Sequence, residues 1–152
     1  MVLVQYIKGP SMLQLMPEQL PQLVRQHIFR KMLDLESSIF EKDVDLVDLA
    51  PRNTILIRTG EDRPEVVLID FGDTQFRCDR DYWDGEGSKM FQGQYISPLL
   101  RWKGGPPPGF ESWVDWEWDS WLLKEFADTE RTITPEMRKH WARGRRSIGG
   151  NA

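Results

Sequence analysis

Two motifs decide how this chain folds: D-L-A-P-R-N at residues 48–53 and D-F-G at residues 70–72. Between them lie two short runs rich in aliphatic and β-branched residues, T-I-L-I-R at 54–58 and E-V-V-L-I-D at 65–70. A polar turn at 59–64 joins these runs, so the pattern predicts the two strands of a β-hairpin. Both motifs then lie at the open end of that hairpin.

The open end of the hairpin is the candidate site. Because the two ends of a hairpin lie close together, Asp48, Asn53 and Asp70 are expected to converge on one small volume. Two carboxylates and an amide oxygen are hard ligands that suit Mg²⁺. An acid that stays off the metal can orient a hydroxyl group or accept its proton.

A long helix is predicted before the first motif. Apolar residues recur there at steps of three and four, the spacing of one helix face; they are Leu20, Leu23, Val24, Ile28, Met32, Leu35 and Ile39. Charged residues of the same stretch, Arg25 and Glu36 among them, are assigned to its other faces.

The segment before this helix is predicted to begin with a strand. The run V-L-V-Q-Y-I at 2–7 has strand composition, and Gly9 and Pro10 end it. Ser11 and Gln14 have the spacing of a capping box, which predicts a short helix there.

The second half of the chain carries weaker signals. Residues 76–110 are expected to be irregular, with a stiff surface loop or linker at 104–109, G-G-P-P-P-G. Residues 111–130 are acidic and hold four of the seven tryptophans, which are expected to pack in the core on a helix wedged between other elements. A last helix is predicted with Thr134 as its N-cap and Pro135 at its first position.

Length and composition favour a single domain over residues 1–152. The 20 Lys and Arg residues against 24 Asp and Glu give a formal net charge of −4, which does not favour nucleic acid as a partner. One cysteine excludes a disulfide framework within the chain and favours a cytoplasmic location. No apolar run approaches the roughly 18 residues that span a bilayer, and no signal-peptide pattern is present, so no membrane partner is expected.

Together, the two motifs resemble the catalytic loop and D-F-G signature of protein kinases. Residues 48–53 match the D-L-A-A-R-N of tyrosine kinases at five of six positions, and aminoglycoside and choline phosphotransferases carry this loop as H-G-D-x-x-x-x-N. Leu46 stands where the family usually has histidine. No A-P-E follows Gly72, which favours the small-molecule branch or a divergent one. The resemblance covers about residues 2–75.

The resemblance implies an α+β, mostly helical fold: the C-terminal lobe of the protein-kinase-like fold, with a small β-hairpin, an N-terminal hinge strand and no N-lobe. In that order the segments are a hinge strand (1–10), a helical part (11–42), the catalytic loop, hairpin and D-F-G (43–75), an irregular part (76–110) and C-terminal helices (111–152). Residues 1–47 contain no G-x-G-x-x-G, so the missing N-lobe or another protein partner is expected to complete the phosphate site.

The resemblance also assigns roles to the site residues. Asp48 would be the catalytic base that positions the acceptor hydroxyl, and Arg52 would lie near the transferred phosphoryl group. Asn53 and Asp70 would hold Mg²⁺ on the phosphates of ATP.

The hinge would bond the adenine edge of ATP through the backbone of Gln5 and Ile7. The implied function is phosphoryl transfer from Mg-ATP to an unidentified hydroxyl acceptor, by a kinase-like fragment that is incomplete or inactive as a stand-alone chain. The alternative is a non-catalytic, pseudokinase-like binding or regulatory module. In a third hypothesis the chain is a partner-binding protein. Its binding segments would be the acidic, Trp-rich segment 111–130 and the basic tail, which holds Arg138, Lys139, Arg143, Arg145 and Arg146.

Overall fold

The structure is a computed structural model that describes residues 6–57, 63–72, 74–76 and 91–142. Its helices are α1 (Gln22–Glu41), α2 (Pro98–Arg101), α3 (Trp118–Glu125) and α4 (Pro135–Trp141), and its strands are β1 (Val44–Asp45), β2 (Thr54–Ile57), β3 (Glu65–Leu68) and β4 (Gln75–Phe76). Short 3-10 helices lie at Met12–Gln14, Pro17–Gln19, Pro51–Asn53, Glu111–Trp113 and Ala127–Thr132. The α+β class is confirmed. No helix in these parts of the chain is both long and apolar enough to cross a membrane.

Strands β2 and β3 form the predicted antiparallel hairpin. Thr54 lies opposite Leu68, and Ile57 lies opposite Glu65. Leu56 and Leu68 are buried, and α1 packs against β3, so one face of the hairpin is covered by that helix. A second antiparallel pair joins β1 to β4 and brings the segment after the D-F-G motif back to the end of α1.

Helix α1 lies within two residues of the predicted bounds and supplies the centre of the core. Ile28, Phe29, Met32 and Leu33 are completely buried along its apolar face. The Phe29 ring makes edge-to-face contacts, at centroid distances from 5.5 to 6.3 Å, with Phe110, Trp116, Trp118 and Trp121. Aromatic pairs of this geometry add to the stability that burial provides. The predicted core role of the tryptophans is therefore confirmed.

The acidic segment 111–130 is less helical than predicted. Only Trp118–Glu125 is α-helical, and 3-10 turns lie on either side of it. A continuous helix would spread the tryptophan rings over a wide arc. The breaks in the helix allow rings from before and within α3 to pack against the same ring, that of Phe29. The last helix begins as predicted, with the Thr134 hydroxyl accepting a hydrogen bond from the N–H of Met137 over 3.2 Å.

The segment 76–110, predicted to be irregular, contains a short helix. Ser97 begins α2 by accepting a hydrogen bond from the N–H of Leu99 over 3.1 Å, a capping contact that periodicity does not reveal. Residues 77–90 lie outside the described residues. The segment 104–109 is a loop, but Pro107 is fully buried, so the loop also covers part of the core.

The strand predicted at 2–7 is not present in the part of it that the structure describes. Residues 1–5, and Gln5 with them, lie outside the described residues. Ile7 is described and has no regular secondary structure.

Backbone contacts at Pro10 and Ser11, just after this segment, nevertheless connect the chain to β2. Ser11 forms an isolated antiparallel bridge with Ile55, and the N–H of Leu56 donates to the carbonyl of Pro10 over 2.9 Å. Pro10 has no N–H with which to continue the ladder, so the described contact with β2 stays an isolated bridge. Gly9 lies so close to β2 that a Cβ at this position would be 2.3 Å from the carbonyl oxygen of Leu56.

A buried ion pair joins α1 to α2. The guanidinium of Arg101 donates to both carboxylate oxygens of Glu36, over 2.6 and 2.5 Å, and the indole N–H of Trp102 donates to the same carboxylate over 3.3 Å. The side chains of Glu36 and Arg101 are only 2% and 9% exposed. The same guanidinium lies 3.6 Å from the ring centre of Phe40. Glu36, which the sequence assigned to an outer face, is therefore a core residue.

Glu36→Gln should destabilise the fold strongly. Loss of the negative charge leaves a buried arginine without its counter-ion, and breaking such a pair costs about 3–5 kcal/mol. The matched control is Glu130→Gln, which breaks the ion pair of Glu130 with Arg138, two side chains more than half exposed and 3.5 Å apart. The control should change the free energy of unfolding by less than about 1 kcal/mol. Chemical denaturation measures both, and similar small losses would contradict the assigned role of Glu36.

Gly9→Ala should destabilise the protein by roughly 1–3 kcal/mol, because the new methyl group overlaps the backbone of β2. Gly104→Ala is the control. It has open space around the added Cβ and a positive φ of 94°, so it tests backbone strain without a clash. Thermal unfolding of the two variants separates these effects. A smaller loss for Gly9→Ala than for Gly104→Ala would show that the contact with β2 is not tight.

Candidate functional site

The loop before β2 is held by hydrogen bonds from its own residues. The 3-10 turn Pro51–Asn53 closes with the N–H of Asn53 donating to the carbonyl of Ala50 over 3.0 Å. The hydroxyl of Thr54 donates to the same carbonyl over 3.0 Å. Asn53 and Thr54 are both buried, so the end of the loop is part of the hairpin rather than a free connection.

The hairpin register brings the D-F-G motif to this loop. One step beyond the Thr54–Leu68 pair, the N–H of Ile69 donates to the carbonyl of Asn53 over 2.9 Å. Asp70 follows directly and has a left-handed backbone with φ of 62°. Its carboxylate accepts a hydrogen bond from the N–H of Gly72 over 3.2 Å, the local contact that lets aspartate take this conformation.

A small cleft lies between the loop and the end of β3. It has a cavity volume of about 10 Å³ and is lined by Leu46, Val47, Asp48, Leu49, Asn53, Leu68, Ile69, Asp70 and Thr74. The three residues that the sequence placed together, Asp48, Asn53 and Asp70, all line it. The volume corresponds to roughly one water-sized sphere, the scale of a bound ion or water molecule.

The carboxylate of Asp48 is already engaged by two neighbours. One guanidinium nitrogen of Arg52, Nη2, donates to Oδ1 over 2.6 Å and to Oδ2 over 2.5 Å. The side-chain amide of Asn53 donates to Oδ2 over 2.8 Å and to the backbone carbonyl of Asp48 over 3.1 Å. The amide nitrogen of Asn53 therefore holds the loop.

The donor set fits a hard cation with an incomplete protein shell. Within the residues described, no group of three His, Cys, Asp or Glu side chains is placed to hold a metal ion. Mg²⁺ needs no such group, since it is commonly bound by one or two carboxylates with water and phosphate oxygens. Asp70 and Asn53, which both line the cleft, each carry a side-chain oxygen of this kind.

One of the remaining predicted site residues, Ile7, does not line this cleft. Gln5 lies outside the described residues. Arg52 reaches the site through Asp48 and is itself 59% exposed. The assigned roles of all these residues remain predictions.

Thr74 is a cleft residue that sequence reasoning missed. Its hydroxyl oxygen is buried and has no hydrogen-bond partner in the described structure. A buried, unpaired hydroxyl is costly, so it is a natural contact for whatever fills the cleft. The signal available in the sequence was its position just after the D-F-G motif, next to the predicted cation site.

Comparison with protein-family models, with curated proteins and with solved structures finds no match to this chain. The kinase resemblance of residues 2–75 therefore rests on the sequence motifs alone.

Asn53→Ala should loosen the loop. The variant removes a buried amide that donates to a carboxylate, a contact worth about 1.5–3 kcal/mol. In a double-mutant cycle with Asp48→Ala, the two losses should be coupled rather than additive.

Thr54→Val is the control for that cycle, because it removes the hydroxyl bond to Ala50 and leaves Asp48 untouched. Its loss should add to that of Asp48→Ala. Urea denaturation gives all the free energies, and full additivity between Asn53→Ala and Asp48→Ala would contradict the contact described here.

Proposed function

We propose that this chain is a kinase-like lobe and that its cleft is the phosphoryl-transfer site of an ATP-dependent phosphotransferase with a hydroxyl acceptor. The observation that carries the proposal is the convergence of Asp48, Asn53 and Asp70 on one cleft at the open end of the hairpin. A D-x-x-x-x-N motif alone is common. The same motif followed by an antiparallel hairpin in the observed register and by D-F-G is far more specific.

In phosphoryl transfer the protein itself does little covalent chemistry. Positioning and neutralisation of charge account for most of the catalysis. Asp70 and Asn53 would hold Mg²⁺, which neutralises charge on the phosphates when it is bound. Asp48 would orient the acceptor hydroxyl and accept its proton, and the exposed guanidinium of Arg52 would face the transferred group.

A non-catalytic binding module is the second candidate, and one observation favours it. Both carboxylate oxygens of Asp48 already accept hydrogen bonds from Arg52 or Asn53. Three of the roughly four lone-pair sites of the carboxylate are then taken, which leaves little room for an acceptor hydroxyl group. Nucleotide binding without transfer would be the behaviour expected of such a module.

Thermal unfolding with Mg-ATP tests nucleotide binding. At a hundredfold excess over Kd, a ligand stabilises the folded state by about 2.7 kcal/mol, which raises the Tm of a chain this size by roughly 5–10 °C. Asp70→Asn should reduce the shift with Mg-ATP. Asp34→Asn is the control, since it removes a partly exposed carboxylate on α1, away from the cleft. No shift at millimolar Mg-ATP would overturn both candidate functions.

Asp48→Asn separates the two candidates. Phosphoryl release from Mg-ATP, followed with a panel of hydroxyl acceptors, should fall by about a hundredfold or more if Asp48 is the general base. Transfer that survives the substitution would remove Asp48 from that role. Binding of Mg-ATP with no measurable transfer in the unsubstituted protein would favour the binding module.

A further inference from the structure

The ion pair between Arg52 and Asp48 has an unusual form for a candidate active site. A single nitrogen of Arg52, Nη2, makes both contacts to the carboxylate. A guanidinium has five N–H groups, so most of its donors are still available to another acceptor. The side chain of Arg52 is 59% exposed and that of Asp48 is 29% exposed, which places the arginine on the solvent side of the pair.

This contact takes up two of the roughly four lone-pair sites of the Asp48 carboxylate, and Asn53 takes up a third. Oδ1 of Asp48 accepts from Arg52, and Oδ2 accepts from both Arg52 and Asn53. A hydroxyl group can approach the carboxylate as a hydrogen-bond donor only where an oxygen lone pair is open to it. The bond from Asn53 comes from a buried residue, whereas the bonds from Arg52 come from an exposed one. Arg52 is therefore the partner that can leave.

The pair is also weak enough to be opened by a ligand. Exposed ion pairs are worth at most about 1 kcal/mol, because water competes for both charges. A phosphate group carries more negative charge than a carboxylate and matches the planar fork of arginine with two oxygens. Phosphate therefore competes directly with Asp48 for the same guanidinium.

We propose that Arg52 is an anion-displaced clamp: it covers the Asp48 carboxylate in the free protein and leaves it when a phosphate group binds. This proposal deepens the proposed function and rests on it, because it makes exposure of the base depend on the presence of the phosphoryl donor. In the absence of a phosphate group, Asp48 stays bonded to Arg52, and one lone pair of Oδ1 is left for a hydroxyl group.

The clamp predicts an effect that would be absent if Arg52 bound phosphate without competition from Asp48. Since Asp48 and phosphate compete for Arg52, neutralising Asp48 should strengthen phosphate binding. Neutralising Asp70, which lines the same cleft but does not bond Arg52, should have a smaller effect. The comparison distinguishes release of the clamp from a general loss of negative charge.

Titration with inorganic phosphate in the absence of Mg²⁺ tests the clamp without requiring catalysis. Backbone amide NMR shifts around the cleft should saturate with phosphate and give the affinity of every variant. One arginine side-chain signal, assigned to Arg52 by its loss in Arg52→Gln, should shift with them. Arg52→Gln should weaken binding at least about tenfold, the value of a hydrogen bond to a charged group. Asp48→Asn should tighten binding severalfold, and Asp70→Asn less. Arg138→Gln is the matched control, since Arg138 is 55% exposed and also paired with a carboxylate.

Two results would overturn the clamp. One is phosphate binding that Arg52→Gln leaves unchanged. The other is an equal gain in affinity from Asp48→Asn and Asp70→Asn, which would mean that only total charge matters. A failed clamp with a normal Mg-ATP shift leaves the proposed function standing. Phosphate binding at Arg52 with no Mg-ATP shift would support the clamp and overturn the proposed function.

Discussion

The buried carboxylate of Glu36 is the constraint on which much of the described structure depends. Taking a carboxylate out of water costs several kcal/mol unless a counter-charge and further donors meet it. Arg101 and Trp102 supply both, and this fixes α2 against α1. Trp102 belongs to the main hydrophobic cluster, whereas Phe40, which lies under the Arg101 guanidinium, belongs to the smaller one near α4. One ion pair thus ties the two parts of the core together.

The fold could be predicted from sequence wherever a pattern was local. Periodicity located α1, two apolar runs joined by a polar turn located the hairpin, and Thr134 located the last helix. The prediction failed where partners distant in sequence decide the outcome. Glu36 was assigned to an outer face of the helix because no residue near it in sequence indicates the contact with Arg101. A strand at 2–7 was favoured by composition, but its described residues, Tyr6 and Ile7, have no regular secondary structure, and the chain bridges to β2 at Ser11 instead.

The candidate site shows the same division. The motif spacing predicted that Asp48, Asn53 and Asp70 would converge, because hairpin register is a short-range property, and all three line the cleft. The state of the Asp48 carboxylate could not be predicted, because it depends on which rotamer Arg52 takes in the folded loop. Thr74 was missed for a related reason: its place in the cleft follows from the turn after Asp70, whose left-handed backbone no sequence pattern revealed.

At Asp70, backbone strain lowers stability at a position where the proposed function needs a carboxylate. A residue with a side chain pays for a φ of 62° with strain, and glycine would adopt the same turn without that cost. Asp70→Gly would relieve that strain, although it would delete a carboxylate from the cleft and its hydrogen bond with the N–H of Gly72. Under the proposed function, the strain at Asp70 is the cost of placing a carboxylate at the cleft, which is a trade-off between stability and function.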